Sequence, residues 1–230
     1  MDAMLALADI LERLRVFYGP LPGPPHDPFA MYVWEVMNFH SVPGKREAAL
    51  AALRRIPALT PDSIWKAPAG KLEAAANLAG PYMDERVRAL RAGADVFRRH
   101  PHLARHVTGS LLRGRRALRA LPQLGESGTH RMLLYSGGHA ILPVDSHLAR
   151  VALRLGLAGP HAKIRQQVRA VRRALAAVVP AELDTRRRAV LLLEHHGQAT
   201  CAEFDPHCHI CPLRAECATG RDRETTRATA

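Results

Sequence analysis

The sequence predicts an all-α protein. Three observations carry that prediction: apolar residues recur at helical spacing along most of the 230 residues, alternating β-branched runs are rare, and glycine and proline fall between the periodic stretches. Apolar residues make up 47 % of the chain and aromatics only 5 %, so the core is aliphatic and alanine-rich. A chain of this length can bury one large core or two small ones.

The elements follow in order. MDAMLALADILERLRVF (1–17) reads as an amphipathic helix whose acids do not suit a signal peptide. YGPLPGPPHDP (18–28), with five prolines and two glycines, marks a domain crossing. Asp27 and Pro28 then supply an N-cap and an N1 proline for FAMYVWEVMNF. REAALAALRRI (46–56) and SIWKAPAGKLEAAANLA (63–79) read as short helices, and MDERVRALRAGADVFRRH (83–100) as a longer one. GSLLRGRRALRAL (109–121) enters a tight Pro/Gly turn and THRMLLYSGGH (129–139) leaves it. DSHLARVALRLGL (145–157) is a helix capped by Asp145, with Leu148, Val151, Ala152 and Leu155 on one face. KIRQQVRAVRRALAAVV (163–179) and TRRRAVLLLEHHGQ (185–198) close the helical body. Residues 219–230 lack an apolar period and are expected to be a disordered tail.

The formal net charge is +12, carried almost entirely by arginine, whose planar fork suits phosphate. Between Arg86 and Arg119 there are ten arginines and one acid, Asp95. A face that basic favours a polyanionic partner; the plainer reading is an arginine-rich soluble surface. No run of 18 apolar residues exists, which argues against a membrane span and for a cytoplasmic protein. In that reducing compartment the four cysteines are not expected to form disulfides.

All four cysteines fall within 17 residues: Cys201, Cys208, Cys211 and Cys217, spaced C-x6-C-x2-C-x5-C. Four such thiolates call for tetrahedral zinc or an iron–sulfur cluster. Zinc sites commonly bring two close pairs; here one pair is close and the other two ligands are spread, which favours a cubane. His207 and His209 read as exposed neighbours. The stretch LLLEHHGQATC with this spacing resembles the C-terminal [4Fe–4S] loop of the endonuclease III family of DNA glycosylases, which shares the preceding His-Gly, here His196-Gly197.

A second motif resembles the same family. Its helix-hairpin-helix reads Leu-Pro-Gly-Val-Gly, followed by Val-Asp-Thr-His; this chain has Leu121, Pro122, Gln123, Leu124 and Gly125, then Val144-Asp145-Ser146-His147. A Pro/Gly turn between helices aims backbone N–H groups at a DNA phosphate without reading sequence, although alone it could be a packing corner. Gln123 stands where the family has glycine. The resemblance makes Asp145 the catalytic carboxylate, a role compatible with its N-cap position. An N-capping carboxylate stays ionised and suits a cationic sugar transition state. Where bifunctional members carry a Schiff-base lysine, 18 residues before that aspartate, this chain has Ser127. A hydroxyl forms no imine, so strand cleavage is expected to be weak or absent.

The helix holding Glu35 resembles the MutY adenine glycosylase branch, in which a glutamate in the same Glu-Val-Met setting protonates the departing base. Burial would poise Glu35 as that general acid; a place on a solvent seam is the alternative. Several positions depart from the family. His40 stands at the family's base-plugging glutamine. Ala79 and Pro81 occupy the places of its large apolar wedges, and the first cysteine loop carries Glu203 and Asp205. MutY enzymes also carry a further C-terminal domain, for which 230 residues leave no room.

The resemblance implies a two-lobed, all-α helix-hairpin-helix DNA glycosylase fold with a [4Fe–4S] cluster loop. A central lobe would span 21–139, and a discontinuous iron–sulfur lobe 1–20 plus 140–218. The implied protein is a monomeric, nucleoid-associated base-excision-repair DNA glycosylase, monofunctional because of Ser127. It would flip a damaged or mismatched base from double-stranded DNA and hydrolyse its N-glycosidic bond. The alternatives are a bifunctional glycosylase/AP-lyase and a catalytically degenerate DNA-damage-binding protein.

Overall fold

The computed structural model describes residues 7–222 except residue 57; the first turn of the predicted N-terminal helix lies outside them. Among the described residues there are twelve helices and no strand. The chain divides into two units, residues 24–141 and residues 1–23 with 142–230.

Unit 24–141 holds α2 (Pro28–Asn38), α3 (Pro43–Leu53), α4 (Pro61–Lys66), α5 (Ala69–Leu78), α6 (Met83–Arg99), α7 (Leu103–Thr108), α8 (Leu111–Leu118) and α9 (Glu126–Tyr135). α2 begins where Asp27 caps it, Oδ1 accepting from the Ala30 N–H at 2.8 Å, with Pro28 pre-set in the first turn. It runs through the centre of the unit and buries Met31, Tyr32, Val33 and Met37 completely, against α3, α6 and α9. The stretch 63–79 is two helices because Pro68 holds Ala67 in an extended conformation, ψ 140°. α7 was not anticipated: at six residues it is too short to show a helical period.

Tyr32 is fixed by its hydroxyl, which donates to the carbonyl of Ala89 at 2.8 Å and to that of Pro122 at 3.2 Å. Its ring lies over Gly93 of α6, where a Cβ would meet ring atoms at 2.0–2.6 Å. Neither partner can give way, so Gly93→Ala is expected to destabilise the protein by at least about 1–3 kcal/mol. The loss would be read as a lower denaturant midpoint at unchanged slope.

The other unit holds α1 (Leu7–Tyr18), α10 (Ser146–Arg154), α11 (Ile164–Val178) and α12 (Leu183–Ala199). α12 packs on α1 and α10. Its approach to α10 requires Gly197, because a Cβ there would fall 2.8 Å from the carbonyl oxygen and Cβ of His147. α11 turns Gln167, Val171 and Leu175 inward. Gln167 accepts from the His161 N–H and donates to the Gly159 carbonyl, which pins the loop before the helix. Residues 218–222 form a helical turn where the sequence suggested a disordered tail, and 223–230 lie outside the described residues. No helix among the described residues is long and apolar enough to cross a membrane.

Candidate functional site

The predicted hairpin is formed by α8, α9 and the turn between them. Ser110 caps α8 by accepting from the Arg113 N–H. Leu121 is buried, and the carbonyl of Pro122 is held by Tyr32. Gln123 is exposed with φ +60°, the left-handed conformation that costs a side-chain-bearing residue about 1–2 kcal/mol and that glycine would adopt freely. Leu124 packs back on Gly128. Gly125 is the N-cap of α9 and supplies no side-chain cap, so the first turn presents backbone N–H groups without an intrinsic acceptor at that position. Ser127 sits in this turn, half-buried.

Glu35 lies beside the same turn, its carboxylate 3.0 Å from where a Cβ of Gly128 would stand. Arg131 Nη1 donates to both carboxylate oxygens, at 2.9 and 2.8 Å; the arginine side chain is 3 % exposed and the glutamate side chain 9 %. Burial alone would favour the neutral acid expected from the sequence. The buried guanidinium lies against that carboxylate as its ion-pair partner. The two residues are 96 positions apart, and nothing local in the sequence marks Arg131 as a partner.

His40 and the 79–82 loop come together around Arg86. This arginine is fully buried and donates to the carbonyls of Phe39, Ala79, Gly80 and Pro81. Burial lowers its pKa from the ordinary arginine value, and four carbonyls offset part of that cost. Ala79, at the place of a family wedge, is fully buried. Pro81 is exposed, and beside it Tyr82 is 47 % exposed at φ +70°. The Tyr82 ring lies 5.1 Å from that of His40, itself at φ +45°. A bulky residue in the left-handed region is an outlier that the surroundings must hold; here Arg86 ties down both loops. The exposed aromatic of this loop is therefore Tyr82, a residue that sequence reasoning passed over.

In the other unit, Asp145 is the N-cap of α10, Oδ1 accepting from the Leu148 N–H at 2.8 Å, with the residue half-buried. One turn on, α10 grips the cysteine segment. Arg150 donates to the carbonyls of Cys201 and Gly197 at 2.9 and 2.7 Å. Arg154 donates to the carbonyls of Ala202 and Glu203 at 2.7 and 2.9 Å and lies 3.2 Å from the Cys201 sulfur.

Cys201, Cys208, Cys211 and Cys217 line one cavity together with Val151, Leu155, His196 and Leu213. Among the described residues no three His, Cys, Asp or Glu side chains converge on a single-ion site. A cradle of four cysteines offers thiolate donors of the kind that hold zinc or an iron–sulfur cluster. Burial pushes the Cys211 thiol up to about 11, the neighbouring sulfurs adding to it, and burial raises Cys201 against the pull of Arg154. Metal loading would therefore displace protons from these thiols. His207 and His209 are both exposed. Behind Cys211, His196 Nε2 lies 3.7 Å from the sulfur, while its Nδ1 is 2.7 Å from the Tyr18 hydroxyl, which is 2.6 Å from Thr200 Oγ1. Burial lowers the His196 pKa to about 4, keeping the ring neutral.

No family model matches the chain. Among curated proteins it is similar to the endonuclease III of Treponema pallidum, 35 % identical over 101 residues, 44 % of each chain. It is also similar to that of Escherichia coli K12, 33 % identical over 109 residues, 47 % of this chain and 48 % of the relative. The chain thus spans about half the length of the curated relatives it matches. Among solved structures, a non-covalent endonuclease III–DNA complex superposes with a TM-score of 0.70 over 96 % of this chain and 100 % of that one, at 22 % identity. The chain is thus similar in sequence to endonuclease III over about half its length and shares that protein's fold. A thermostable thymine-DNA glycosylase shares the fold at a TM-score of 0.65 and 17 % identity, over 94 % of this chain and 97 % of that one. The architecture is the all-α helix-hairpin-helix DNA glycosylase fold.

The sequence-predicted residues fall in two groups. The hairpin, Ser127, Glu35, His40, Ala79 and Pro81 belong to unit 24–141. Asp145 belongs with the four cysteines to the other unit, joined to them by Arg150 and Arg154.

Proposed function

We propose that this endonuclease III-like protein is a monofunctional DNA glycosylase. The observation that carries the reading is Asp145: a carboxylate held by the Leu148 N–H at the positive end of α10, the kind of fixed acidic group a glycosylase uses. Duplex DNA would be gripped through a phosphate at the 121–125 turn, with Tyr82 and His40 as the aromatic contacts to the bases. Once the damaged or mismatched base is extruded, Asp145 stabilises the positive charge growing on the sugar as the base–sugar bond breaks. Water adds its hydroxyl to C1′, and its remaining proton leaves with the base. Ser127 offers no amine, so no imine forms and the strand stays intact. The Arg131 partner argues for an anchoring part for Glu35 beside the first turn of α9.

The four cysteines would hold a [4Fe–4S] cluster, which supplies a clasp for the segment that Arg150 and Arg154 tie to α10. A second reading has one specific observation in its favour: the acid expected to protonate the base is ion-paired. It is a damage-binding protein without turnover. Single-turnover base release on duplexes carrying oxidised pyrimidine, uracil or thymine opposite guanine, or adenine opposite 8-oxoguanine separates the two. Release of one base class supports the glycosylase, and tight binding without any release supports the binder.

A further inference from the structure

The outer face of α11 bears Arg165, Arg169, Arg172 and Arg173, and the helix contains no acidic residue. His161, Gln166, Arg169, Arg172, Arg173 and Ala176 line an open groove of about 690 Å³. Several arginines on other helices meet an acid, as in Arg15–Glu12, Arg98–Asp62 and Arg99–Asp95. Arg169 and Arg173 are exposed and form no ion pair or hydrogen bond among the described residues. Arg172 donates from Nε to the carbonyl of Leu142 at 3.2 Å, so the floor of the groove is tied to the segment that enters the Asp145 cap.

We propose that this groove is a second binding site for the phosphodiester backbone of duplex DNA, separate from the hairpin. Arg169 and Arg173 stand one turn apart, with about 5–6 Å between side-chain origins, so their planar forks can reach neighbouring phosphates of one strand. No Trp, Tyr or Phe lines the groove, so it gives a base no aromatic platform and takes the backbone alone. It contributes sequence-independent, salt-sensitive affinity. The proposal rests on the DNA glycosylase reading.

The test is affinity for an undamaged 30-base-pair duplex across a salt series. It compares wild type, Arg169→Gln/Arg173→Gln and Arg169→Glu/Arg173→Glu, each checked for an unchanged melting curve, with ATP as a free-phosphate competitor. Losing two phosphate contacts should make the slope of log affinity against log salt less steep by about 2. The duplex should bind at least about tenfold more weakly to the glutamate pair at low salt, while base release from saturated lesion duplex stays as in wild type. A wild type that binds duplex with the same slope as both variants overturns the groove alone. Displacement of the variant-sensitive part of binding by ATP at stoichiometric levels assigns the groove to a free nucleotide and overturns it too. A wild type that neither binds duplex nor releases a base overturns the underlying reading as well.

Discussion

Asp145→Asn is expected to lower single-turnover base release about 100- to 1,000-fold while leaving the protein as stable as wild type. The two halves of that expectation come from one carboxylate with two separable duties. As an N-cap, Asp145 accepts the Leu148 N–H, and asparagine caps a helix as well as aspartate does. As a charge, on the proposed reading it faces a developing sugar cation, and removing one preorganised electrostatic partner of a transition state costs about that factor. Asp145→Ala removes both, adding a capping loss of about 1 kcal/mol. Paired melting curves and single-turnover rates for the two variants read the duties apart. If Asp145→Asn turns over like wild type, Asp145 is a structural cap only and another group does the chemistry.

The second large effect is at the cysteine cradle. Cys211→Ser removes a ligand whose sulfur already contacts His196 and the Leu213 N–H. The segment 201–217 has little else to hold it: among its side chains only Leu213 and Cys217 are buried hydrophobic residues, and its backbone depends on Arg150 and Arg154. A structural metal centre can contribute on the order of 10 kcal/mol, as much as the whole stability of a typical domain. The variant is therefore expected to lose its brown colour and iron and to be recovered unfolded or aggregated. Iron content and far-UV circular dichroism measure both. Wild-type protein with no iron and one bound zinc would contradict the cluster; a Cys211→Ser protein folded as stably as wild type would contradict its role as a clasp.

What the sequence made legible was local. The Asp27-Pro28 start of α2 and the Asp145 cap are each decided by residues within one helical turn, and the structure has both. The Pro68 break, where the sequence reads as one helix over 63–79, is where the structure differs. The cysteine spacing is likewise contained within 17 residues. The rest depends on partners far along the chain. Arg131 reaches Glu35 across 96 residues, and Arg86 gathers carbonyls from 39 and 79–81. An arginine sitting fully buried on carbonyls, with no acid as partner in those bonds, is not something a basic stretch suggests. Reading 86–119 as one solvated face therefore misplaced Arg86. The loop at 79–82 shows the same limit. Ala79 and Pro81 are small by composition, but which neighbour is presented outward is set by the left-handed turn at Tyr82, and such a turn has no sequence signature when the residue is not glycine.

Borohydride trapping tests the central claim most directly: base removal without an imine. Lesion duplexes are incubated with the wild-type protein and with Ser127→Lys in the presence of borohydride, and released base and covalent adduct are counted together. The account predicts that wild type releases a base, leaves the strand uncut and gives no adduct. Ser127→Lys, with an amine restored at the head of α9, should give a trapped complex. A trapped adduct with the wild-type protein would contradict the monofunctional mechanism and place a different amine at the sugar.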